Sequence, residues 1–292
     1  MRSPAFAACI FLLAAGAALA KEPANDIAHL WRISRAGIPP SHVFGTIHVA
    51  DARVATLPVP VRDALSRSRT LAVEIVPEAV DAGAAEFELL DDGARLAPLL
   101  RPEIYAKLTA ELADRGVPVP VIERLKPWAA MMKLGRTKLL PTGEPNLDAR
   151  LLQAGRERHL KLLPLEMLDE QISAFDTIPL ASQVALLEHA LLHRDALTAT
   201  VEPTILAWQR GDFSALATIA SAAYDAYPGM AQHRAQLMKN IIDNRTVLMH
   251  HRLFAPLRAG RVFVAIGAMH LTGPRGLLAL LREDGYTITP VW

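Results

Sequence analysis

Two stretches far apart in the chain end in the same way. Val43-Phe44 runs into Gly45-Thr46-Ile47-His48, and the apolar run 262–266 leads into Gly267-Ala268-Met269-His270. Each reads as a buried strand finished by Gly-x-x-His. The glycine allows a turn or close approach that a Cβ would block, and the imidazole emerges about one turn beyond the strand. Two carboxylates sit in comparable apolar surroundings, Glu74 within LAVEI (71–75) and Glu166 directly after the run 162–165. A carboxylate in such a run is costly to bury unless it is paired or bound to a metal. If the four segments are neighbours, two imidazoles and one or two carboxylates meet at one edge of a sheet. That is a donor set suited to a divalent cation, with N and O ligands and room for water. The alternative for each histidine is an ordinary satisfied core imidazole.

Arg245 breaks its local pattern. It lies within the apolar face of a helix expected over 232–253, defined by Met238, Ile241, Ile242, Leu248, Met249 and Leu253. Its guanidinium needs a carboxylate such as Glu74 or Glu166, an anionic group of a substrate, or a path to the surface. Asp148 is read either as an acid of the site or as a helix cap; Asn146 competes for the cap, and the cap role is favoured. Serine-nucleophile, phosphate-loop and dinucleotide motifs are absent, and so is HExxH. His189 and His193 have metal-compatible i, i+4 spacing. They lie off the Leu180–Val184–Leu187–Leu191 stripe and neither is followed by Glu, so exposed side chains are expected, as for His250 and His251.

The elements that must position these groups are legible in outline. Strands are expected at 29–34, 43–47, 71–75, 160–165, 261–266 and 286–291, the last on an edge because Pro290 cannot donate to a ladder. The first two are separated by the breaker-rich segment 35–41, as in a hairpin. Helical spacing recurs at Ile104, Leu108 and Leu112, along 180–191, and at Leu277, Leu278, Leu280 and Leu281. With no repeat or clear linker, the simplest architecture is a single α+β domain over 21–292: a central mixed sheet with inserted and flanking helices.

Composition bounds the rest. The 292 residues are 51% hydrophobic and 21% charged, which excludes intrinsic disorder. Thirty-one basic against 30 acidic side chains leave a formal +1, so no global field draws in nucleic acid or acidic lipid. Arg2, the apolar run 5–18 and Ala18-Leu19-Ala20 have the order of an export signal over 1–20, followed by a periplasmic or secreted chain. No later run is long enough to span a bilayer. The only cysteine, Cys9, falls inside that leader. Disulfides and cysteine chemistry are therefore not expected in the mature protein.

Taken together, FGTIHVAD (44–51), LAVEI, LKPW (125–128), NLDARLL (146–152), LPLE (163–166) with Gln171 and Phe175, Asn244-Arg245 and AIGAMHLTGPRGLLALLREDGYTI (265–288) resemble the TraB/GumN family. The resemblance covers nearly the whole mature chain, in order. It implies a fold related to the erythromycin-esterase and ChaN-like group, and a metal-dependent hydrolase of the kind seen in TIKI proteases, which cleave peptides with manganese or cobalt. His48, Glu74 and His270 match the family's presumed site, and Arg245 a recurrent basic position. On that basis a divalent ion (Mn, Co or Zn) is expected on His48, His270 and Glu74. Glu74 serves as third ligand or general base, Arg245 stabilises an oxyanion or orients Glu74, and Glu166 and Asp148 support the site. The substrate is a peptide or small molecule. The rival reading is a non-catalytic haem- or metal-binding envelope protein of ChaN-like type.

Overall fold

The computed structural model describes residues 27–49, 51–76, 86–135 and 146–292. The leader expected at 1–20, with Cys9, lies outside the described residues. No helix among the described residues is long and apolar enough to cross a membrane.

Six strands form one mixed sheet: β1 (Leu30–Arg35), β2 (Ile38–Thr46), β3 (Thr70–Val73), β4 (Lys161–Pro164), β5 (Val262–Gly267) and β6 (Thr287–Pro290). Their order is β4-β3-β5-β2-β1-β6. All six expected strands are present within a few residues, and the fold is α+β. Strands β4, β3, β5 and β2 run parallel, while β1 pairs antiparallel with β2 and β6. Every residue of β5 is buried, as a strand flanked by neighbours and covered on both faces must be. The hairpin is tighter than the breakers suggest, because β2 begins at Ile38 and includes Pro39 and Pro40. Those prolines fit because the β1 ladder shifts register there and pairing with β5 starts only at His42. Proline's missing N–H costs nothing where no partner waits.

The parallel block fixes the site's location. Since β2, β3, β4 and β5 share one direction, their carboxyl ends lie on one rim. The late strand β5 is inserted between two early ones, and such switch points are where open parallel sheets bind ligands.

The expected helix over 232–253 is not continuous. It runs as α-helix at Met230–Met238, as a π-helix at Lys239–Asn244 and again as α-helix at Arg245–Ala259. Apolar spacing carries no mark of such an insertion. Leu180–Leu192 is one helix, but it is buried on two sides. Leu187 and Leu191 join Leu108, Leu112 and Trp128, while Leu186 packs with Met230 and Leu237. His189 therefore is not exposed: its Nε2 bonds the Ala223 carbonyl at 2.9 Å, and its ring stacks on Tyr224. His193 is half-buried against Tyr227. His250 is also largely covered and bonds Asp284 at 2.8 Å; His251 is exposed.

These placements give the stability a pH dependence. Burial lowers the pKa of His29, His42 and His189; charges on Arg32 and Arg67 add to it at His42, while carbonyl hydrogen bonds oppose it at His29 and His189. An unfolded chain with ordinary histidines near 6.5 takes up more protons, so this contribution is complete above that value and declines as pH falls below it. The Tm should be lower at pH 5.5 than at pH 7.5, as calorimetry at both values would measure.

Candidate functional site

His48 follows β2, Glu74 follows β3, Glu166 follows β4, and His270 closes the 3-10 turn Ala268–His270 after β5. The four segments are strand neighbours, and their polar side chains gather on the common rim. Their meeting point is Gly267. A Cβ there would stand 3.1 Å from Glu74 Oε1, 3.1 Å from His48 Nε2 and 3.6 Å from His270 Cδ2. The Gly267 N–H donates to Glu74 Oε1 at 2.7 Å. The glycine of the first motif does a different job: a Cβ on Gly45 would run into the ring of Phe213, so that residue serves packing.

Each imidazole is held by its Nδ1 atom. His48 Nδ1 lies 2.9 Å from Asp148 Oδ2. Asp148 is free for this because Asn146 accepts from Ala149 N–H and caps the helix Leu147–Glu157. The favoured reading of Asp148 as a cap is thereby overturned. His270 Nδ1 lies 2.8 Å from Thr246 Oγ1, which donates its one proton to the Ile242 carbonyl at 2.7 Å. With that proton committed, Thr246 accepts from His270 Nδ1–H, and the lone pair of His270 is on Nε2. Thr246 is the supporting residue that sequence reasoning missed. A threonine inside a helix usually bonds back to its own turn, and nothing local marks this one as serving a histidine 24 positions away.

Arg245 lies between two carboxylates. Its Nη2 is 2.8 Å from Glu74 Oε2 and 2.7 Å from Glu166 Oε2, its Nε is 2.9 Å from Glu166 Oε1, and its Nη1 donates to the Ile241 carbonyl. Gln171 Nε2 adds a contact to Glu166 Oε2 at 3.2 Å. The π-helix supplies this arrangement, since the carbonyls of Ile241 and Ile242 take up side-chain donors from Arg245 and Thr246. Glu166 has no exposed side-chain surface, so its charge depends on this pairing.

The electrostatics divide the roles. Burial alone would raise the pKa of Glu74, but His48, His270 and Arg245 hold it far below the usual carboxylate range. Burial also opposes charge on His48, yet the hydrogen bond to Asp148 and the charges of Asp148 and Glu74 prevail and push it up to about 10. His270 is brought down to about 4, chiefly by burial, with Glu74 and the Ile242 carbonyl pulling against it and Arg245 and His48 adding to it. The rim therefore holds a permanent carboxylate, a cationic imidazole and a neutral one.

The donor set fits a divalent cation. Two Nδ1–H groups anchored by outer partners, leaving Nε2 toward the centre, is the arrangement metal-binding histidines show. His48 Nε2 and Glu74 Oε1 are 3.6 Å apart, too far for a hydrogen bond. Two donors on one tetrahedral ion at about 2.1 Å stand roughly 3.4 Å apart. Among the described residues, no three His, Cys, Asp or Glu side chains are gathered closely enough to hold an ion as they stand.

Fold and rim define an α+β protein whose polar centre sits at the carboxyl ends of a parallel block. By sequence, the chain belongs to the TraB/PrgY/gumN family, which matches residues 29–290. It is similar to Metalloprotease TIKI1 of Danio rerio, 24% identical over 91% of this chain and 64% of that protein. It is also similar to Metalloprotease TIKI1 of Homo sapiens, 24% identical over 89% of this chain and 61% of that protein. The protein YbaP of Shigella flexneri is 27% identical over 83% of this chain and 88% of its own length. The chain thus spans less than two thirds of these TIKI relatives. No solved structure matches it.

Proposed function

We propose that this chain is an exported metal-dependent hydrolase acting on peptide bonds. The observation that carries the reading is the convergence of His48, Glu74 and His270 on the bare face of Gly267, with both imidazoles anchored through Nδ1. The likeness to the TIKI metalloproteases supports the reaction class; the leader-like segment 1–20 supports export to the periplasm or beyond.

His48 Nε2, His270 Nε2 and a Glu74 oxygen would hold the ion. The chemistry a divalent ion supplies when bound is Lewis acidity, making water nucleophilic near neutral pH and polarising a carbonyl oxygen. The protein's own groups do the rest. Asp148 and Thr246 fix the two rings. Glu74, fixed by the Gly267 N–H and by Arg245, would act as an anionic donor to the ion. Arg245 keeps Glu74 charged in a covered site and orients its Oε2. His48 Nε2 faces Glu74 Oε1, and the exposed edge of the ring would give a proton on that atom a path to solvent.

Elemental analysis of purified protein after incubation with Mn²⁺, Co²⁺ or Zn²⁺, followed by digestion of an unstructured peptide, tests the reading. One tightly held ion and ion-dependent cleavage are expected. A protein that holds an ion but cleaves no peptide would overturn the catalytic part. Asp148→Asn keeps the shape but weakens the acceptor, and should lower metal affinity about 10–100-fold, as measured by calorimetry; unchanged affinity would remove Asp148 from the site.

A further inference from the structure

One polar atom beside the centre has no partner. Thr46 is 1% exposed, and its Oγ1 makes no hydrogen bond. A buried hydroxyl without a partner is costly, and native structures keep few of them. Trp31 Nε1, Thr109 Oγ1 and Arg115 Nε share that condition among the described residues. Thr46 differs because the strand that carries it ends in the site.

Strand register places its side chain. Thr46 is in register with Gly267 across the parallel β2–β5 pair, so the two residues present their Cβ directions to the same face of the sheet, about 5 Å apart. The Gly267 Cβ direction is the one that meets Glu74 Oε1 and His48 Nε2. Thr46 is also the last residue of β2, two positions before His48. Register thus puts its Cβ on the face that carries these donor atoms, and its buried hydroxyl has no partner in the protein.

We propose that Thr46 is a ligand-contacting residue, whose hydroxyl donates a hydrogen bond to an oxygen of the molecule occupying the cradle at Gly267. For the peptide hydrolase proposed above, on which this inference rests, that oxygen is the substrate carbonyl. A neutral donor held on a buried strand gains most where the acceptor gathers negative charge. Arg245 is largely committed to the protein, because Glu74, Glu166 and the Ile241 carbonyl engage four of its five N–H donors.

The test compares Thr46→Val with Thr46→Ser in the full-length protein. Valine matches the shape without the hydroxyl, and serine keeps the hydroxyl but loses the methyl group. In urea, the metal-free Thr46→Val protein should be at least as stable as wild type, gaining roughly fivefold in its folding equilibrium constant, with Thr46→Ser less stable than either. With Mn²⁺ present the order should reverse. Thr46→Val should lose about 10²-fold in kcat on a peptide substrate and bind acetohydroxamate at least about tenfold more weakly by calorimetry, while Thr46→Ser stays near wild type. A residue needed only for packing would move stability and function together. A marked loss of stability in Thr46→Val overturns the proposal, because the hydroxyl then has a partner in the protein. Equal function of wild type and Thr46→Val in both hydrolysis and acetohydroxamate binding overturns it as well. The hydrolase reading is judged separately, on cleavage by wild type alone.

Discussion

Arg245→Leu should destabilise the folded protein by about 3–5 kcal/mol, the usual cost of removing one partner from a buried ion pair. The guanidinium lies within 2.8 Å of oxygens from both Glu74 and Glu166, and neither carboxylate is open to water, with side chains 14% and 0% exposed. Without the cation, two negative groups share one covered space, with the Gln171 amide between them. At an effective dielectric constant near 20, like charges 4 Å apart repel by about 4 kcal/mol. The folded state escapes part of that cost only by taking up a proton. The double variant Glu166→Leu/Arg245→Leu should recover much of the loss, because apolar groups can replace a buried pair at little net cost. Glu74 still has the Gly267 N–H and His48 in that background. Arg245→Lys should fall between, since an ammonium cannot reproduce the forked contact to Glu166. Urea titrations at pH 7.5 read all three. Wild-type stability in Arg245→Leu would show that the pair is solvated and that its proposed role in keeping Glu74 charged is wrong.

His48→Ala and His270→Ala should each abolish stoichiometric metal binding and reduce peptide cleavage by a factor on the order of 10³ or more, beyond the effect expected for an outer partner such as Asp148. The fold should survive both. His48 is the exposed member of its contacts, with 58% of its side chain open. Loss of His270 leaves the Thr246 hydroxyl still donating to the Ile242 carbonyl, so no donor is stranded. Elemental analysis, the cleavage assay and circular dichroism on the same preparations separate chemistry from folding. Native spectra with no metal and no cleavage are the expected result. Retained cleavage in either variant would remove that histidine from the centre.

The strands were legible because a covered sheet writes itself as apolar runs, and the two histidines and Glu74 because each interrupts or ends such a run. Glu166 was legible for the same reason, since a carboxylate beside Leu162, Leu163 and Leu165 demands a partner. What the sequence did not reveal follows from longer-range physics. Nothing local states that β5 enters between β2 and β3, although that insertion is what brings His48 to His270. Asp148 looked like a cap because acids are common in a first helical turn, and only the fold shows that Asn146 takes the cap and frees it. His189 looked exposed because one stripe was taken as the whole buried face of a helix that packs on two sides. The π-helix at Lys239–Asn244 has no apolar period of its own, so its effect on Arg245 and Thr246 emerges only in three dimensions.

The insertion of β5 also sets when the rim at Gly267 can be completed. The strands carrying the early ligands are made long before residues 262–267, and the parallel block between β2 and β3 stays open until that segment arrives. A ribosome-bound fragment has His48 and Glu74 but neither the backbone N–H of Gly267 nor the ring of His270. The rim is completed by the closing contacts of folding, and any fragment ending before β5 lacks the means to build it.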